Sequence, residues 1–220
     1  MDWDQTIARQ QEAGVPKHRP ERDLSEVWIT SPQGHAFWMK EALGLARSMR
    51  GWVWPNPAVG CVIVRDGEIV GRGCTQFGGR PHAERVALDD AGAKARGATL
   101  YVTLEPCCHW GKTPPCADAI IEAGVHAVYA SLQDPDPRVN GGGFRKLKEA
   151  GITVEVGLGG DEAREIMDGF FHRVESGTPL VSVAERLEPP GTIPEGFDAE
   201  LRSIGDRLWL FTRAYGVGCY

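Results

Sequence analysis

From Ala98 to Val156 the chain alternates runs rich in β-branched residues with short helical patterns. They are "ATLYVTL" (98–104), "PPCADAIIEAG" (114–124), "VHAVYASL" (125–132), "GFRKLKEAG" (143–151) and "ITVEV" (152–156). Connections this short between strand, helix and strand imply neighbouring parallel strands joined by right-handed crossovers. That restricts the chain to an α/β sandwich with strand ends lined up for a site. Upstream, "AVGCVIV" (58–64) reads as a buried strand, Asp66-Gly67 as a hairpin turn and "EIVGRG" as the returning strand. Ser31-Pro32 has the form of an N-cap followed by proline at the first helical position. Trp38, Ala42, Leu45 and Met49 then continue at helical spacing. "HAERVALDDAG" (82–92) reads as a helix closed by Gly92, and a last helix is expected from Asp161 to about Val174.

The flanks differ from this centre. Residues 1–30 are polar, are interrupted by "VPKHRPERD", and read as an extension; 31–175 form the domain; 176–220 form a tail. In the tail "TPLVSVAERL" and "DRLWLFT" read as two strands around the linker-like "EPPGTIPEG". "GLGGD" (157–161) lacks the third glycine of a dinucleotide loop and reads as a turn. The net charge of −6 argues against broad nucleic-acid or anionic-membrane binding, while leaving room for a phosphorylated small substrate held by a few local cations. No apolar run approaches a membrane span, and the N-terminus lacks the apolar core of a secretory signal, so a cytoplasmic protein is expected. In a reducing compartment its six cysteines read as metal ligands or thiols before disulfides.

Chemistry concentrates in "EPCCHWGKTPPC" (105–116) and in "PHAE" (81–84). Cys107 ends a strand, Cys116 sits in the first turn of the next helix, and His82 opens an earlier helix. One histidine and two cysteines make a three-ligand zinc set with the fourth tetrahedral position left for water. A helix N-terminus favours the Cys116 thiolate, and Glu84, two residues after His82, is placed to exchange protons with that water. Other readings coexist. Cys107, Cys108, Cys116 and His109 could build a closed structural zinc site. Cys61 and Cys74 lie on apolar strands and read as packing residues.

Eight residues, "CHWGKTPP", separate Cys107 from Cys116, and this spacing resembles the deaminase half of the bifunctional riboflavin-biosynthesis family RibD/RibG. There "HAE" is followed by "EPC-x-H-x-G-[KR]-TPPC". The likeness extends through "PNPAVGCVIVRDGEIVGRG" (55–73), "RGATLYVTLEPCCHWGKTPPCADAIIEAGV" (96–125) and "QDPDPRVNGGG" (133–143), within roughly residues 35 to 175. The resemblance implies a cytidine-deaminase-like three-layer α/β/α sandwich with a mixed central sheet. It makes His82, Cys107 and Cys116 the ligands of a Zn2+ ion and Glu84 the catalytic proton shuttle. Asn56 would bond the pyrimidine edge, His109 and Lys112 would lie over the ribose phosphate, and Asp134 would help recognise the substrate. The chain departs from the pattern at Thr75, where many members have histidine, at Asp136, where many have asparagine, and at Cys108, a common serine.

The reaction implied is loss of the C2 amine from the diaminopyrimidinone ribosylamino phosphate made from GTP. Alternatives are a deaminase of this fold acting on another pyrimidine, purine or nucleoside, and a non-catalytic deaminase-fold binding subunit, against which the intact Glu84 argues. Homo-oligomer formation is compatible with the sequence. The 45 residues after Glu175 align with no reductase domain, so deamination alone is expected, with a separate protein for the following reduction. The tail is expected to pack through Leu208, Trp209, Leu210 and Phe211.

Overall fold

The computed structural model describes residues 30–111, 113–181, 193, 197–204, 207–212 and 216–219. Helix α1 (Pro32–Ser48) starts as its sequence expects, with the Ser31 hydroxyl accepting from the Gly34 N–H at 3.1 Å and proline at the first position. Strands β1 (Gly60–Arg65) and β2 (Glu68–Cys74) form the hairpin. Asp66 and Gly67 both have positive φ, 52° and 72°, as a tight turn between twisted strands requires. Helix α2 (Ala83–Ala91), β3 (Thr99–Val102), α3 (Cys116–Ala123), β4 (Ala127–Ala130), α4 (Gly142–Glu149) and β5 (Thr153–Val156) follow in alternation. Gly124 ends α3 in the left-handed conformation at φ 71°, where glycine carries no steric cost.

The central sheet has the order β2-β1-β3-β4-β5. Strand β1 is antiparallel to β2 and β3, while β3, β4 and β5 are parallel. The sheet is therefore mixed. Gly60 pairs with Cys74 and Gly73 with Cys61, so Gly60 and Gly73 face opposite sides. A Cβ on Gly60 would lie 1.9 Å from the Ala42 carbonyl oxygen of α1, and one on Gly73 would lie 2.1 Å from that of Ala83 in α2. Helices thus cover both faces at backbone contact. Helix α3 packs beside α2 and α4 beside α3, while a helix α5 (Gly160–Ile166) packs beside α1. The result is the expected three-layer α/β/α sandwich, with Val62, Ile63, Leu100, Val102 and Val128 fully buried in its centre. A polar tie joins α1 to the sheet: His35 Nδ1 lies 2.8 Å from the Tyr101 hydroxyl and Nε2 3.1 Å from that of Tyr129.

Two expectations are corrected. The helix from Asp161 to about Val174 is broken at Met167 into α5 and α6 (Asp168–Ser176). The tail carries three antiparallel strands, β6 (Ala199–Ile204), β7 (Arg207–Thr212) and β8 (Gly216–Cys219), in that order; of these only β7 was expected, and "AELRSI" and "GVGC" are added, the latter concealed by its glycines. Residues 178–181 of the other expected strand are not strand, and its remainder lies outside the described residues, as do residues 1–29. Among the described residues no helix is long and apolar enough to cross a membrane.

Candidate functional site

His82 is the N-cap of α2, and Cys116 is the first residue of α3. Cys107 lies beside both, on the segment that leaves β3. The two sulfurs lie 3.7 Å (Cys107) and 3.4 Å (Cys116) from His82 Nδ1, and the three donor atoms all fall within 4.8 Å of one another. Tetrahedral coordination at ordinary zinc–nitrogen and zinc–sulfur bond lengths places such donors about 3.6 Å apart. The N-terminus of α3 fixes the cluster. The Cys116 N–H donates to Cys107 Sγ at 3.3 Å, and the Ala117 N–H donates to the Cys107 carbonyl at 3.1 Å.

The Cys116 thiol beside it, helped by His82 against the opposing effect of burial, pulls the Cys107 thiol down to about 4. Cys116 is pushed up, first by that same contact and then by burial. Glu84 lies in the first turn of α2 with only 4% of its surface exposed, and burial, partly opposed by His82, pushes its carboxyl up to about 7. Two sulfurs and a carboxyl buried together are short of positive charge. A divalent cation that prefers nitrogen and sulfur donors meets that need, so these residues fit zinc. Cys108 and His109 are not part of the cluster. Cys108 turns instead to the Arg138 carbonyl, 3.6 Å from its Sγ.

A residue that sequence reasoning passed over holds this region together. Glu105 is buried, and its carboxylate accepts four backbone N–H groups. Oε2 takes those of Asp134 (3.1 Å) and Gly141 (2.9 Å); Oε1 takes those of Gly143 (2.9 Å) and Phe144 (3.3 Å). One side chain thus ties the turn bearing Cys107 to the end of β4 and to the start of α4. The fit is close, since a Cβ on Gly143 would meet the Pro106 carbonyl at 2.0 Å. The signal in the sequence was an acidic residue at the end of an apolar strand, directly before Pro-Cys.

An open pocket above His82, Glu84 and Cys107 is lined by Asn56, His109 and Asp134 among others. Asn56 is held by its Nδ2 donating to the Gly79 carbonyl at 2.6 Å. Gly79 has φ +86°, and a Cβ there would collide with the Asn56 side chain at 2.6 Å. His109 Nδ1 is buried without a hydrogen-bond partner among the described residues. Asp134 Oδ1 accepts the Asp136 N–H at 2.8 Å, and burial pushes the Asp134 carboxyl up to about 6. Lys112 lies outside the described residues.

The unusual Thr75 has a structural explanation. It donates to the Pro57 carbonyl at 3.0 Å and accepts the Val59 N–H at 3.0 Å, stitching the Asn56 loop to the end of β2. Two arginines also reach this pocket. Arg80 donates to Thr113 Oγ1 at 2.9 Å across the inter-cysteine loop, and Arg138 pairs with Asp136.

Residues 32–132 match the family model of the cytidine and deoxycytidylate deaminase zinc-binding region. The riboflavin biosynthesis protein RibD of Aquifex aeolicus is 50% identical over 146 residues, which are 66% of this chain and 41% of that protein. Among solved structures, Acinetobacter baumannii RibD is similar with a TM-score of 0.64 at 47% identity, over 66% of this chain and 41% of that one. A C-terminal deletion mutant of the Aspergillus oryzae Rib2 deaminase, in complex with DARIPP, gives a TM-score of 0.52 at 25% identity, over 64% of this chain and 93% of that one. The chain therefore spans about 41% of the length of these RibD relatives.

Proposed function

We propose, from the match of residues 32–132 to the cytidine and deoxycytidylate deaminase zinc-binding region, that this protein binds zinc through His82, Cys107 and Cys116 and hydrolytically deaminates diaminohydroxyphosphoribosylaminopyrimidine in riboflavin biosynthesis. The observation that carries the reading is the convergence of three zinc-type donors, two of which line one pocket together with the buried carboxyl of Glu84. Likeness to the RibD proteins supports the choice of substrate.

When bound, the zinc ion acts as a Lewis acid that lowers the pKa of water toward ~7. Glu84 takes a proton from the attacking water and delivers it to a ring nitrogen as oxygen bonds to the amine-bearing carbon. The carboxylate, free again, takes the second proton from the oxygen now bonded to that carbon and passes it to the amine, the carbon–nitrogen bond breaks, and ammonia leaves as the carbonyl forms. Burial suits Glu84 to this traffic, because a carboxyl held near 7 both accepts and returns protons at neutral pH. Asn56 and Asp134 orient the pyrimidine, and His109, with its unpartnered buried nitrogen, faces the ribose phosphate; Lys112 is assigned to the phosphate on the sequence resemblance alone.

The test is ammonia release by purified, zinc-loaded protein from the phosphorylated diaminopyrimidinone, set against cytidine, guanine and the dephosphorylated analogue. Preference for the phosphorylated compound is expected. Turnover of cytidine or guanine in its place would reassign the substrate, and no turnover of any of them would favour a binding subunit.

A further inference from the structure

The pocket wall beyond β4 carries two acidic side chains two residues apart, Asp134 and Asp136, in a pocket that already contains Glu84. With Glu105 as well, four carboxyl-bearing residues line the pocket beside Arg80 and Arg138, and an unmasked acid there disfavours an anionic substrate. Asp136, however, does not face the pocket as a bare charge. Arg138 Nε lies 2.9 Å from its Oδ1 and 3.2 Å from its Oδ2, Arg138 Nη2 lies 2.5 Å from Oδ2, and the Arg138 N–H donates to Oδ1 at 3.0 Å. Both carboxylate oxygens are therefore engaged by one neighbouring residue. The Asp136 side chain is 17% exposed and that of Arg138 70%, so the guanidinium covers the carboxylate from the solvent side.

We propose that Arg138 is a specificity-determining residue that masks Asp136, so that the two together present a neutral wall to the phosphorylated substrate. The inference rests on the deaminase reading above and sharpens it at an acidic position of the pocket wall. Asparagine is neutral by itself, whereas aspartate reaches neutrality here only with a cation. An ion pair this exposed on one side contributes little to stability, so its effect falls on the field inside the pocket. Removing the guanidinium while keeping the carboxylate sets like charges against each other within a Debye length, which costs about tenfold in affinity in a partly desolvated pocket.

The experiment is a double-mutant cycle of Arg138→Ala and Asp136→Asn, with KM measured for the phosphorylated substrate and for its dephosphorylated analogue. Arg138→Ala is expected to raise KM about tenfold for the phosphorylated compound alone, with the penalty shrinking as salt is added. Adding Asp136→Asn to Arg138→Ala is expected to restore KM, because the charge needing a mask has gone. If the double variant stays as impaired as Arg138→Ala, the arginine contacts substrate directly and masking is wrong. If Arg138→Ala changes nothing, the pair is an idle surface contact. A wild-type protein that releases no ammonia from the phosphorylated compound would sink the functional reading itself, and this inference with it. An active wild type with an uncoupled cycle would overturn the inference alone.

Discussion

The backbone N–H of Cys116 points at the sulfur of Cys107 from 3.3 Å, so one donor of the cluster is oriented by the helix that begins with another. A helix N-terminus stabilises negative charge, which suits the Cys107 sulfur to a thiolate. The cluster is oriented by backbone groups that any substitution other than proline leaves in place.

Cys116→Ala should therefore keep the fold and lose the metal. The N–H to Cys107 survives, but two donors cannot replace three. Elemental analysis is expected to fall from one zinc per chain to a small fraction, with circular dichroism little changed. Retention of stoichiometric zinc would remove Cys116 from the ligand set.

Glu84→Gln preserves size and polarity but cannot shuttle protons. Zinc content should stay at wild-type level while turnover falls by about 10²–10⁴-fold, the usual worth of a general acid–base group. A variant with most of its ammonia release intact would leave Glu84 without a catalytic role.

Glu105→Ala should be costly far from the chemistry. It strands the N–H groups of Asp134, Gly141, Gly143 and Phe144, and orphaned buried donors cost about 1–3 kcal/mol each when water cannot reach them. A loss of about 3–5 kcal/mol in urea denaturation is expected, with Glu105→Gln intermediate because its amide keeps one accepting oxygen. Stability within about 1 kcal/mol of wild type would show that the four bonds are dispensable.

Asp134 and Asp136 should titrate in opposite senses although they are near neighbours. Burial puts Asp134 at about 6, while Arg138 holds Asp136 at about 2. With unfolded values near ~3.9, Asp136 contributes stability above that pH, and this is lost as pH falls towards 2. Asp134 does the reverse. The folded state keeps its proton where the unfolded state releases it, so stability declines as pH rises from about 4 to 6. Carboxyl carbon NMR across pH 2–7 resolves the two, and coincident titrations would refute the assignment.

The parts of the molecule that were legible in the sequence are those written locally. Ser31-Pro32, Asp66-Gly67 and Gly124 announce element ends through their own backbone preferences, and His82, Glu84, Cys107 and Cys116 through donor types at those ends. Contacts made at long range were illegible. Glu105 finds its donors 29 to 39 residues away, a relation no local pattern encodes. The break at Met167 was hidden for another reason. Ala163, Ile166, Met167 and Phe171 keep a helical rhythm straight through it, so periodicity could not reveal the two helices. The Asp136–Arg138 pair is local, two residues apart, and was legible in "DPR" as a neighbouring acid and base; what the sequence did not show is that both line the pocket.

Helix α2 carries His82 and Glu84 at its tip and rests directly on β2, where Gly73 and Gly71 meet the carbonyl oxygens of Ala83 and Ala87. The two glycines act as a spacer of zero thickness, and the height of the Glu84 carboxyl over the sheet is set by backbone contacts remote from the pocket. A single methyl at Gly73 would lift the first turn by about 1 Å, a displacement that alone can cost about 10²-fold in rate. A Gly73→Ala protein that still binds zinc but turns over slowly would show the spacer at work. A search for better catalysts confined to the pocket walls would miss the position that sets the height.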